Sequence, residues 1–204
     1  MFALDYKEYQ AARDIAWYCL LRCHIQALPV SATEVCRTYG FKLCSYEEGR
    51  ELIQYFGLEA QCCRSDGFTK LQNGRYYIFY RGDMNRGRVR FTIMHEVGHI
   101  LLGHLKPGGF TQVNREPRPD DDPREQQANV FASRTLAPAC VLQALQADTA
   151  EKISALCDIS LTAAGFRAER MELLNGRKKF FTSSLERRVY RQFLWFIIKS
   201  RLGL

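Results

Sequence analysis

His95-Glu96-Val97-Gly98-His99, entered from Arg88-Val89-Arg90-Phe91-Thr92-Ile93-Met94 without Pro or Gly, carries the spacing of an amphipathic helix. Met94, Val97 and Leu101, with Phe91 and Ile100 alongside, make its apolar stripe. The two histidines are about one helical turn apart, so both imidazoles leave one face at a separation suited to one tetrahedral Zn²⁺. Glu96 lies beside them, where a carboxylate can take a proton from water. Gly98 costs a helix interior about 1 kcal/mol relative to Ala, which implies a close neighbour there, and a strand is the expected one. The helix is predicted to end near Gly103-His104, ahead of Pro107-Gly108-Gly109.

Two histidines leave a zinc site one protein ligand short. The metzincin extension would need Gly at 102 and His at 105, and the chain has Leu102 and Leu105. His104 points about 140° around a continuous helix from His99, so it reaches the metal only if the helix breaks first. Glu125, at the start of Asp122-Pro123-Arg124-Glu125-Gln126-Gln127-Ala128-Asn129-Val130-Phe131-Ala132, can complete a His₂Glu set from a second helix. The same glutamate also fits a capping box, with Asp122 as N-cap and Pro123 at the first helical position. Ligand and cap both stand as readings of Glu125.

Arg90 to His104, followed by Glu125-Gln126-Gln127-Ala128-Asn129-Val130-Phe131-Ala132 and Leu136-Ala137-Pro138, resembles the ImmA/IrrE family of metallopeptidases. That family pairs an RFTxAHExGHxxLGH helix with an ExxANxFA helix and an LxP step. The resemblance implies that His95, His99 and Glu125 are zinc ligands and that Glu96 is the catalytic base. Met94 replaces the more usual alanine, and Gln127 stands where many members carry a second acidic residue. For the transition-state oxyanion, His104, Tyr77 and Tyr80 are the candidates. The resemblance further implies the substrate class, a helix-turn-helix repressor whose cleavage relieves repression of stress genes or of a mobile element.

The remaining sequence reads as α+β, a zincin-like metallopeptidase core with a small, mostly antiparallel sheet beside the HExxH helix and a helical C-terminal extension. Helices are predicted over 6–27, from the capping box Ser31-Ala32-Thr33-Glu34 to before Gly40, and over 47–56. Phe41 to Tyr46 reads as a strand, and Gly67 to Leu71 with Tyr76 to Tyr80 as a hairpin turning at Asn73-Gly74. An edge strand of such a sheet suits strand addition by an extended peptide. Residues 105–121 read as a surface loop between the two metal-bearing helices. Domains are expected at 1–146, the metallopeptidase, and 147–204, the extension.

Eight cysteines without a CxxC pair fit a reducing compartment, and neither a signal peptide nor a membrane span is expected, which points to a cytoplasmic protein. The net charge of +7 is concentrated late, with ten Lys and Arg against three Glu from Phe166 onward. Just before and into that stretch, Glu151–Cys157, a turn at Asp158-Ile159-Ser160 and Leu161–Leu174 have the outline of a helix-turn-helix. Arg167 falls there at a position that ordinarily holds a buried residue. The basic part is expected to dock an acidic patch on a protein substrate, with DNA as the other possible partner. The expected function is thus a zinc endopeptidase. The alternative is a DNA- or repressor-binding regulator with a structural metal, and an intact Glu96 argues against a site without chemistry.

Overall fold

The structure is a computed structural model and describes residues 4–105, 113–114 and 122–203. They fall into two compact units, one built from the described residues of 1–12 and 31–132, the other from those of 13–30 and 133–204. In chain order the described elements are α1 (Tyr6–Arg22), α2 (Ala32–Tyr39), β1 (Lys42–Ser45), α3 (Arg50–Tyr55), α4 (Glu59–Arg64), β2 (Ser65–Gln72) and β3 (Arg75–Tyr80). They continue with α5 (Arg86–Leu101), β4 (Val113–Asn114), α6 (Pro123–Leu136), α7 (Ala139–Ala144), α8 (Ala150–Cys157), α9 (Leu161–Gly176), α10 (Ser184–Gln192) and α11 (Leu194–Leu202). The fold is mixed α+β. No helix among the described residues is long and apolar enough to cross a membrane. The predicted 105–121 loop lies largely outside the described residues.

The first unit holds a sheet in the order β1-β3-β2-β4, with β1 parallel to β3 and the other two pairings antiparallel. The β2–β3 hairpin turns where predicted. Asn73 and Gly74 both take positive φ, 49° and 73°, as a two-residue turn matched to the strand twist requires. One face of the sheet carries Phe68 and Phe79, fully buried in a cluster with Ile53 and Leu58. The other faces α5. At Gly67 a side chain would collide with Thr92 Cγ2, so this glycine sets how closely β2 can run against the helix.

The expected strand neighbour of Gly98 is corrected by the structure. A Cβ at Gly98 would stand 3.0 Å from Phe131 Cδ1 and 3.3 Å from Ala128 Cα, so the close neighbour is α6. The strand approaches one turn and more earlier, at Thr92. The two contacts lie on different sides of α5, which is why a buried glycine alone does not name its neighbour.

Helix α5 begins at Asn85, whose side chain accepts from Arg88 N at 2.9 Å, and the Arg88 guanidinium reaches back to Asp66 on β2. It ends as predicted. Gly103, at φ 73°, donates its N–H to Ile100 O and His104 donates its own to His99 O, the paired bonds of a Schellman turn.

The second unit is helical. Helices α8 and α9 pack together around Ile153, Cys157 and Ala164, all fully buried, and Asp158 turns the chain between them at φ 52°. Arg167 is buried and donates from Nε to Ala137 O at 2.8 Å, so its charge is housed at a helix end instead of displayed on a surface. Gln192 ties α10 to the end of α1 through bonds from its amide to Leu20 O and Ile25 O.

Candidate metal centre

Helix α5 places His95 and His99 on one buried face, as the four-residue spacing demands, with Nε2 of the two rings 2.9 Å apart. Glu125 arrives from the first turn of α6. Its Oε2 lies 3.2 Å from His95 Nε2 and its Oε1 3.3 Å from His99 Nε2. Helix α6 is capped without it, since Asp122 Oδ1 accepts from Arg124 N at 2.9 Å. Cap and inward carboxylate, two alternatives in the sequence, are therefore separate residues.

These three groups fit a divalent cation. Their ligand atoms all lie within 4.8 Å of one another, and they offer two imidazole nitrogens and a carboxylate oxygen to one point. Ligands about 2.1 Å from a tetrahedral ion stand about 3.4 Å apart, close to the two nitrogen–oxygen separations seen here. Three protein donors to a four-coordinate ion would leave one position for water or a carbonyl, as hydrolytic sites require.

The electrostatics of the cluster follow from its packing. For Glu125, burial raises the pKa, but hydrogen bonds from His95 and His99 and their charges outweigh it and hold the carboxyl well below its usual range. For His99, burial lowers the pKa, while the Glu125 hydrogen bond and the charges of Glu96, Glu125 and Asp122 reverse this and raise it. His104 goes the other way, lowered by burial and by the charges of His99 and Arg124.

Glu96 is fully buried one residue from His95, and its Oε2 accepts from Thr69 Oγ1 of β2 at 2.7 Å. The backs of the imidazoles are also held. His95 Nδ1 lies 2.9 Å from Asn129 Oδ1, His99 Nδ1 lies 3.0 Å from His104 Nδ1, and His104 Nε2 lies 2.9 Å from Gln127 Oε1. His104 therefore stands behind His99, on the ring edge away from Glu125. Of the other oxyanion candidates, Tyr77 packs edge-on against Phe56 and beside Phe79, and Tyr80 lies near Glu48 and Cys44 with its hydroxyl pKa raised, mainly by burial. No described contact joins either tyrosine to the triad.

The sequence motifs assign no role to Thr69, Gln127 or Asn129. Gln127 and Asn129 lie inside the ExxAN stretch, so their place next to Glu125 was visible. Thr69 sits 27 residues before Glu96, on a strand whose register against α5 only the fold reveals.

Comparison with curated proteins gives no match. A model of the peptidase family described as the IrrE N-terminal-like domain matches residues 52–169, more than half of the chain. That span contains β2, α5 and α6, and with them the triad, Glu96 and Thr69. The chain belongs to the IrrE N-terminal-like domain family of peptidases.

Proposed function

We propose that this protein is a zinc-dependent endopeptidase with a zincin-like core, acting in the cytoplasm on a helix-turn-helix repressor. The observation that carries the reading is the convergence of the Glu125 carboxylate on both Nε2 atoms, beside a buried Glu96 that a purely structural site would not need. Zinc held by His95, His99 and Glu125 supplies Lewis acidity toward a water and a peptide carbonyl. Glu96 takes the proton of the attacking water and returns it to the leaving amine, while Thr69 holds the carboxylate in place for both transfers. Strand β4 borders β2, the strand that carries Gly67 and Thr69 against α5, and an extended substrate would add along that margin. The repressor as substrate class rests on the family resemblance. The cytoplasmic setting is supported by eight free cysteines.

The test is Glu96→Gln, which keeps size and hydrogen bonding but accepts no proton. The wild-type protein should cut a helix-turn-helix repressor encoded beside its gene, and the variant should retain zinc and fold while cleaving at least about a hundredfold more slowly. Full regulatory activity of the variant in cells would replace the enzyme by a repressor-binding module.

A further inference from the structure

We propose that His104 and Gln127 are a positioning pair that selects the ring tautomer of His99 required for metal binding. This inference rests on the metal reading of the triad. An imidazole binds a metal through an unprotonated nitrogen, so a neutral His99 that offers Nε2 must carry its proton on Nδ1. At 3.0 Å from that Nδ1 stands another imidazole nitrogen, His104 Nδ1. Two ring nitrogens at this distance share one proton, and which of them owns it depends on what the far side of His104 meets.

The far side meets Gln127 Oε1, 2.9 Å from His104 Nε2. A carbonyl oxygen only accepts, so His104 Nε2 keeps its hydrogen and donates it to Gln127. His104 Nδ1 is then a lone pair and accepts from His99 Nδ1–H. That leaves Nε2 as the nitrogen His99 offers to a metal, on the side where it meets His95 Nε2 and Glu125, and a proton shared there with those groups is the one a metal would displace. His95 reaches the same state by a shorter route, its Nδ1–H donating to Asn129 Oδ1 at 2.9 Å. Helix α6 thus supplies both the anionic ligand and the two amide oxygens from which the proton order on α5 is set.

The backbone explains why a second histidine is interposed. On a continuous helix His104 would point away from His99, but the chain leaves α5 through the Schellman turn at Gly103, which folds His104 back over the last turn. Partners of this kind, beyond the ligands themselves, typically change metal affinity by about 10–100-fold. His104 is accordingly neither a ligand nor an oxyanion donor in this arrangement. Both of its nitrogens are engaged behind the site.

The experiment measures zinc affinity of the full chain by competition with a chromophoric chelator, with thermal melting of the metal-free proteins as the control for folding. Wild type should bind one zinc. His104→Phe keeps a ring and Gln127→Met keeps the length, yet both remove the acceptor, and both should weaken zinc by about 10–100-fold. Gln127→Glu, which can only accept, should bind at least as tightly as wild type, and His104→Gln should recover part of the loss by offering an amide oxygen to His99. Equal zinc affinity of His104→Phe, Gln127→Met and wild type would overturn the proposal while leaving the metal site standing. So would a loss in Gln127→Glu as large as in Gln127→Met, because that would make the contact one of packing. Failure of wild type itself to bind zinc would remove the metal reading as well.

Discussion

Thr69 Oγ1 on β2 donates to Glu96 Oε2 on α5 across 2.7 Å, and both residues are fully buried. The bond ties the proposed general base to the sheet instead of leaving it on a free rotamer. A hydrogen bond to a charged group contributes about 1.5–3 kcal/mol, so Thr69→Val, nearly the same shape without the donor, should lower kcat by about 10–100-fold at unchanged zinc content. Thr69→Ser retains the hydroxyl and should stay near wild type. A Val variant as active as the Ser variant would show that Glu96 is held by packing alone.

Glu125 separates the two readings open in the sequence. If its carboxylate is a ligand, Glu125→Gln should reduce zinc affinity at least about a hundredfold, since the remaining histidine pair no longer encloses the ion. Helix α6 should survive, because Asp122 caps it independently. Dialysis against a zinc buffer followed by metal analysis checks the first expectation, and melting of the metal-free protein checks the second. Unchanged affinity with a melting loss of about 1 kcal/mol would return Glu125 to the role of a cap.

Much of this candidate site is legible in the sequence. Spacing alone placed His95, Glu96 and His99 on a helix, because the 3.6-residue period is local, and Asn73-Gly74 announced its turn for the same reason. What sequence could not supply is contact across elements. Gly98 signalled a close approach, but a missing Cβ has no direction until the helix has neighbours, and the neighbour proved to be Ala128 and Phe131 of α6. Thr69 had no local mark. The two units are discontinuous in sequence, and no composition shift at residue 12 or 30 announces it. For His104 the sequence states a condition, a break in the helix, and the Schellman turn at Gly103 supplies it, bringing the ring behind His99.

The α5–α6 spacing at Gly98 is testable in its own right. Gly98→Ala puts a methyl 3.0 Å from Phe131 Cδ1 and 3.3 Å from Ala128 Cα, backbone that cannot turn aside. Overpacking of this kind costs about 1–3 kcal/mol, against a helix-propensity gain of about 1 kcal/mol for Ala over Gly. The net expectation is a lower melting temperature. Because the same two helices carry the histidines and Glu125, zinc affinity should fall too, and Gly98→Val should be worse on both counts. A stabilised Gly98→Ala with intact zinc binding would show that α6 yields freely.

Cys140 offers a prediction in the second unit. Burial, with a smaller contribution from the charge of Glu186, pushes its thiol pKa up to about 12, while Cys63 is exposed. Near neutral pH a thiol-specific reagent should therefore label Cys63 in the native protein and reach Cys140 only on unfolding, because the thiolate is the reacting form. The same shift fixes a direction for stability. An unfolded cysteine loses its proton near about pH 8.5, whereas Cys140 keeps it in the folded chain, so the unfolded state gains ground once the pH exceeds that value. Its contribution is complete below about pH 8.5 and is lost as the pH rises toward the folded value. Cys140→Ala removes the titration, so its stability loss relative to wild type, measured by urea unfolding, should shrink steadily between pH 8.5 and 10. A loss independent of pH over that range would mean that Cys140 contributes by packing only, with its thiol no harder to ionise than an exposed one.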